Sequence, residues 1–427
     1  MSERWQTDPL GKYCYIKARI GWRGLAASEY TESGPFLIAG KHIESGRIDW
    51  DATDHISEFR YNESSEIALA EGDVILSKDG TIGRVARIDS LPGKATINGT
   101  MMLVRPVRGI DYRFLYHVLN GAEFKKLIDD KVSGSSIPHI FQRDMVTLPV
   151  SFPPIAHQTK LAEVLDTLDT AIHETEAIIA KLKAVKQGLL HDLLTRGVNA
   201  NGELRPPQAE APHLYKESPL GWIPKDWSMQ PLGYMAEVSR GKFTHRPRND
   251  PRFYGGKHPF IQTGDVAAAE GEYVSTFSQT LSDRGTSVSQ EFPAGTIAIT
   301  IAANIADTAI LAIPMFFPDS VVGAVVHDAH SVRFVELSIR KAKRGLDARA
   351  PQSAQKNINL QDLRPLLLAV PAREEQDAIA MRYEALQSQL QFESDCLEKY
   401  RQERAGLMDD LLTGRVRVTP LLVGGAP

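Results

Sequence analysis

The chain has almost no cysteine. Cys14 and Cys396 stand far apart, which excludes a disulfide framework and a cysteine-based zinc site and suits a reducing cytoplasm. It also lacks an uninterrupted apolar run long enough to cross a bilayer. The nearest approach, Thr296–Phe317, carries Asn304, Asp307 and Pro314 and reads as two buried strands. The opening Met1-Ser2-Glu3-Arg4 is polar and does not read as a secretory leader. Neither sign of charge dominates: 49 Lys and Arg face 53 Asp and Glu, a net charge of −4. That excludes binding of nucleic acid through bulk charge and leaves local basic patches open.

Catalytic motifs are missing too. There is no GxxxxGK(S/T) phosphate loop, no GxGxxG, no HExxH and no metal-spaced Cys/His cluster. There is no aspartate–proline-rich motif of an amino-methyltransferase and no nuclease carboxylate–lysine set. Gly80-Thr81-Ile82-Gly83 resembles half a phosphate loop, but it sits between two strand-like runs and is expected to be a hairpin turn. His55, His117 and His327 are isolated, and read as surface or satisfied core residues rather than catalysts.

What is present is a repeat. At 427 residues the chain exceeds what one core usually organises. Trp5–Gly11 matches Trp227–Gly233, Gly34–Gly40 matches His258–Gly264, and Glu71–Leu76 matches Ala294–Ile299. Arg113–Leu115 matches Arg333–Val335, and Ile155–Arg196 matches Arg373–Gly414 without a gap. The matches keep their order, as a duplication requires. Each half reads as a mixed α/β domain closed by a long helix. Short β-branched runs such as Gly72–Leu76 and Thr96–Val104 predict strands, and the spacing over Asp111–Asp129 predicts a helix. The expected division is residues 1–154 (first domain), 155–197 (first long helix), 198–220 (proline-rich surface linker), 221–371 (second domain), 372–414 (second long helix) and 415–427 (tail).

Pro153 and Pro154 precede the first long helix and Gly197 follows it. Its apolar residues fall in seven-residue columns: Leu161, Leu168, Leu182 and Leu189; Val164, Ala171, Ile178 and Val185; Leu165, Ile172, Ile179 and Leu193. The second helix is patchier, with Ile379, Leu386, Tyr400 and Leu407, then Tyr383, Leu390, Leu397 and Leu411. Sustained heptads call for a partner helix. About 40 residues at 1.5 Å each span roughly 60 Å, longer than a domain of this size covers. The two helices are therefore expected to pack on each other through Leu161, Leu165, Leu168, Ile172, Leu182 and Leu189 of the first, and Ile379, Leu386, Leu390, Leu397 and Leu407 of the second. The competing reading packs each helix on its own domain.

Three basic stretches stand out. Ser239–Lys257 holds six cations against Asp250, interleaved with Phe243, Phe253 and Tyr254. Its candidate nucleic-acid contacts are Lys242, Phe243, Thr244, His245, Arg246, Arg248, Asn249, Arg252 and Tyr254. Arginine neutralises phosphate and pairs bidentately with a guanine edge, and asparagine pairs with adenine. Gly11–Gly24 has no acid and offers Lys12, Lys17, Arg19, Trp22 and Arg23 among aromatics. A third run spans Arg340–Lys356. A solvated charged face is the plain alternative for each.

These features together resemble the specificity subunit of type I restriction–modification systems, over nearly the whole chain. The resemblance is carried by GWIPKDW at Gly221–Trp227, RPRNDPRFYGG with PFIQTGDV at Arg246–Val266, and GDVILSKDGTIGR at Gly72–Arg84. Pro153–Gln158 and the LLTR and LLTG ends of the two helices add to it. His157, Ala372 and Ala302–Ala306 depart from the family's usual pattern. The resemblance implies an α+β fold: two repeated mixed α/β target-recognition domains joined by two long antiparallel helices, a coiled-coil-like spacer with a pseudo-twofold repeat. It implies that each domain reads one half of a bipartite site in double-stranded DNA. It further implies two modification subunits that carry S-adenosylmethionine, restriction subunits that use ATP and Mg, and no cofactor, metal or membrane contact in this chain. A fused restriction–modification enzyme and a stand-alone DNA-binding scaffold remain the alternatives.

Overall fold

The computed structural model describes residues 5–18, 27–133, 138–302, 305–349 and 357–423. The chain forms two compact units: Met1–Ile179 with Glu393–Pro427, and Ala180–Phe392. Each long helix is thus shared. The first runs Ile155–Thr195 and the second Arg373–Leu412, and each begins in one unit and ends in the other.

The two units are built to one plan. In the first, a four-stranded sheet has the order Cys14–Ala18, Met101–Pro106, Val74–Ser77, Val85–Arg87. In the second, four strands of a five-stranded sheet repeat it: Ala236–Arg240, Val321–Val326, Ile297–Thr300, Thr308–Leu311. All these neighbours are antiparallel. Val74–Ser77 and Ile297–Thr300 are buried along their whole length, so both sheet faces are covered. Alternation sends Val74, Leu76, Met102 and Val104 into one core and Ile75, Met101 and Leu103 into another. The second unit divides Ile297 and Ile299 from Ala298 in the same way. Thr296–Phe317 is strands at Ile297–Thr300, Thr308–Leu311 and Met315–Phe316, and no described helix is long and apolar enough to cross a membrane. Asp111–Asp129 is two helices, Tyr112–Val118 and Ala122–Ser133, because the chain breaks at Asn120-Gly121. Gly80 and Gly83, both at positive φ, make the turn between Val74–Ser77 and Val85–Arg87.

The core of the first unit takes in Leu161, Ala162 and Leu165 from the start of the first long helix, and Met408 and Leu411 from the end of the second. The core of the second unit takes in Leu193 and Leu194 together with Ile379 and Tyr383. Each domain therefore packs on both helices, so the competing reading holds in part: Leu161, Leu165 and Ile379 are core residues of their units, with Leu189 and Leu407 packed against those cores. Leu168, Ile172, Leu182, Leu386, Leu390 and Leu397 are half-buried. On the first helix the less exposed positions 161, 165, 168, 172, 175, 179, 182, 186, 189 and 193 alternate by four and three, a continuous heptad stripe. Ile178 and Val185 of the remaining column are 43% and 47% exposed and lie off that stripe.

Two direct contacts between the helices show their antiparallel sense in the first unit, and one more joins them in the second. Arg404 pairs with Asp169 and Arg401 with Glu176 (2.7 Å) in the first, and Lys186 bonds Gln387 in the second. The repeated glutamines anchor each helix start. Gln158 and Gln376, both 1% exposed, accept from the backbone N–H of Asp111 and Ser331 and donate to the carbonyls of Pro153 and Pro371.

The segment expected to be a surface linker is instead packed onto the second unit. Arg205 is buried between Glu375 and Asp226 and also donates to Arg196 O, and Ala211 and Tyr215 are buried. Residues 215–218 and 221–224 form a hairpin. Its prolines had suggested an exposed tether, but one buried guanidinium with two carboxylates binds the segment down. Gly197 closes the first helix at φ +63, where a Cβ would lie 2.5 Å from Trp227 and 2.1 Å from Glu375. Gly197→Ala combines a left-handed backbone, costing about 1–2 kcal/mol, with overpacking of about 1–3 kcal/mol. A loss of roughly 2–5 kcal/mol in chemical denaturation is expected, against a gain of about 0.5–1 kcal/mol for Gly188→Ala on the open face of the same helix.

Candidate nucleic-acid interface

Residues 241–253 of the second unit connect the strands Ala236–Arg240 and Tyr254–Phe260. The loop starts on an aromatic floor: Phe243, Phe253, Phe260, Leu281 and Phe316 form a small core of their own. Phe243 packs on Phe253, Tyr254 and Phe260 at centroid distances of 5.5–6.3 Å. This corrects the expectation for Phe243. At 3% exposure it anchors the loop from below and does not face a ligand. His245 stacks on Phe253 at 4.0 Å and stands 3.3 Å from Asp250, so it belongs to the support as well.

Above this floor stand three arginines. Arg246, Arg248 and Arg252 are 56%, 49% and 66% exposed at the side chain. Each guanidinium is held in place while keeping N–H groups outward. Arg246 donates to the carbonyls of Phe243 and His245 at 2.8 Å. Arg248 donates to both carboxylate oxygens of Asp319 at 2.7 Å. Arg252 pairs with Asp250 at 2.6 Å. Asp250 also caps the short turn Pro251–Phe253 by accepting from Arg252 N. The hydrogen bonds from the Arg252 side chain and backbone hold its carboxyl well below the usual range. Tyr254 bonds the carbonyl of Arg248 through its hydroxyl. Lys242, Thr244 and Asn249 are exposed. The surface is a preorganised row of planar cations beside polar groups, a match for phosphate oxygens and base edges.

The first unit places its candidates less compactly. Lys12 lies in a short turn and is paired with Asp8 at 3.0 Å, with Tyr13 donating to the same carboxylate. Cys14–Ala18 is a strand, so Gly11–Gly24 is not one loop, and Lys17 sits on that strand with its ammonium 5.8 Å from the Tyr15 ring centroid. Arg19, Trp22 and Arg23 lie outside the described residues. In chain order they come soon after Cys14–Ala18, as the arginines come soon after its counterpart Ala236–Arg240.

The third basic run is structural over most of its described length. Arg340 pairs with buried Glu336 and bonds Tyr383, Lys341 donates to Leu194 O, and Lys343 pairs with Asp307. Sequence reading missed Asp319, which sits 71 positions from Arg248 and carries no local signal. It also missed Lys41 and Arg84, which line an open cavity of about 600 Å³ with Glu44, Ser45 and Gly46.

His117, Asp166 and Asp169 bring three ligand-capable atoms within 4.8 Å. Arg87 and His117 bond Asp166 and Arg404 bonds Asp169. The carboxylates are already answered by guanidinium groups, and the cluster reads as a structural ion network.

Residues 25–184 and 224–399 each match the type I restriction modification DNA specificity domain. The chain belongs to that family. A type I specificity subunit of Methanocaldococcus jannaschii, MjaVIII, is 24% identical over 442 residues, covering 98% of this chain and 94% of its own length. The EcoKI specificity subunit of Escherichia coli is 22% identical, covering 59% of this chain and 57% of its own. Among solved structures, the type I S subunit of M. genitalium has the same fold, with a TM-score of 0.60 at 14% identity over 96% of both chains. Both specificity domains fall on the repeat, one in each half of the sequence. Each match also runs into a long helix, residues 155–184 in the first and 373–399 in the second.

Proposed function

We propose that this chain is the DNA-reading, non-catalytic subunit of a type I restriction–modification complex, and that each domain reads one half of a split site in double-stranded DNA. The observation that carries it is one chain holding two copies of a DNA specificity domain on a shared pair of helices, with different residues following the equivalent strand in the sequence of each. Different side chains on one scaffold read different half-sites, and the helix pair sets their separation, because separation along a duplex also sets the groove that is faced. Two modification subunits dock on the helix pair and supply S-adenosylmethionine; restriction subunits add ATP- and Mg-dependent cleavage. Adenine must leave the base stack to be methylated, and that chemistry falls to the modification subunits. The place of action is the cytoplasm.

Methylome sequencing of the host with and without the gene identifies the site. Removing one heptad from both long helices, residues 175–181 and the matching 393–399, shortens the pair by about 10 Å. The gapped site methylated by the complex should then shrink by about three base pairs at 3.4 Å each. Methylation at the original spacing alone would show that the helices are not the ruler. Methylation by the purified chain without partners would show that it is an enzyme.

A further inference from the structure

The helix pair has a feature that neither the family assignment nor the apolar columns explain. Its heptad stripe is interrupted by cations: Lys186 on the first helix and Arg404 on the second, each flanked by apolar stripe positions. The two occupy equivalent positions, as do their cross-helix partners. Arg404 pairs with Asp169, which follows stripe residue Leu168; Lys186 bonds Gln387, which follows Leu386. One polar contact is thus written twice, with the helices exchanging roles, once in each unit. Both cations are largely covered, at 23% and 22% side-chain exposure. Lys186 lies 4.9 Å from the ring centroid of Tyr383 on the second helix and 3.5 Å from Glu272.

The domain cores already grip both helices at their ends; along the stripe itself, apolar residues alone would add nothing against sliding by whole heptads, since each slip restores apolar contact. A polar group inside the stripe does, because a slip leaves it facing hydrocarbon. In one direction, a slip of seven residues would bring Asp169 to Leu411 and Gln387 to Leu193. In the other it would bring Arg404 to Ala162 and Lys186 to Ala380. Each such step displaces one helix along the other by about 10 Å, or about three base pairs of duplex.

We infer that the Asp169–Arg404 and Lys186–Gln387 contacts are register pins, and that these four residues determine how sharply the protein discriminates between half-site spacings. The inference rests on the reading of the helix pair as a ruler. These are positioning residues, acting through helix register; leucine in place of Lys186 and Arg404 returns apolar groups to the stripe.

The test uses the full chain co-expressed with the host's modification subunits, the host site found by methylome sequencing, and duplexes whose spacer differs by one to three base pairs. The pinless variant D169L/R404L/K186L/Q387L should keep methylation at the native spacing within about threefold. Its preference for that spacing over altered ones should fall at least tenfold. Gln387→Asp, which turns the second contact into a second ion pair, should leave the preference equal or sharper. A pinless protein that folds and keeps the wild-type preference, while the heptad deletion above shifts the spacing, overturns the pins and leaves the ruler standing. A heptad deletion without a shift overturns both. Should the pinless chain fail to fold, the near-isosteric D169N/R404Q is scored instead, with a smaller loss of preference expected and an unchanged preference counting against the pins.

Discussion

Replacing Arg246, Arg248 and Arg252 together by alanine should weaken DNA binding by the assembled complex by two to three orders of magnitude at about 0.1 M salt, with the loss confined to recognition of one half-site. The three side chains stand about half or more exposed on one loop. An arginine on a base edge is worth about 1–3 kcal/mol of discrimination, and one on a phosphate removes about one unit of salt slope. The loop is spared structurally, because its floor is Phe243, Phe253, Phe260, Leu281 and Phe316 and none of these is changed. Titrations at several salt concentrations, on duplexes with either half-site scrambled, separate the two contributions. Equal weakening at both half-sites, or none, would remove the loop from the interface. Asp319 tests the arrangement more finely. Asp319→Asn should loosen Arg248, which it holds through two bonds of 2.7 Å, and relax selectivity more than affinity.

The second large effect is on stability. Arg333→Met should cost about 3–5 kcal/mol, the usual penalty for stripping one partner from a buried ion pair. Arg333 is 3% exposed and joins Glu272, Glu336 and Glu384 at 3.1–3.2 Å while donating to the carbonyl of Gly271. Glu336 is fully buried, keeping only Thr308 and Arg340 once Arg333 is gone. Burial already pushes the Glu336 carboxyl above its ordinary value of 4.5, against the pull of Arg340, Thr308 and Arg333. A carboxyl raised on folding favours the native state below its unfolded value and loses that contribution as pH rises through the folded value. Without Arg333 the rise is larger. The deficit of Arg333→Met relative to wild type should therefore be smallest near pH 4.5 and grow toward neutrality. Arg333→Met/Glu336→Gln should recover most of it at pH 7. Denaturation at pH 5 and 7 checks both statements; a deficit independent of pH would place the loss elsewhere in the network.

The duplication, both long helices nearly to the residue and the strand character of Thr296–Phe317 were legible in the sequence. These features are written in local pattern: heptad spacing, proline and glycine at helix ends, and repeated short strings. The sequence also located the arginine loop, because six cations against one acid within nineteen residues is a local signal. It could not separate Phe243 from a base-stacking residue, since an aromatic beside arginine reads alike whether it faces in or out. It could not choose among three apolar columns on the first helix. Only the fold turned Ile178 and Val185 outward and put Thr175, Ile179 and Lys186 on the covered stripe. Arg205 read as part of an exposed tether until Glu375, 170 positions away, was placed beside it. For Arg205 the deciding partner lies far along the chain. Periodicity reports which faces of an element are apolar; which face is covered, and by what, depends on elements that meet only in the folded structure.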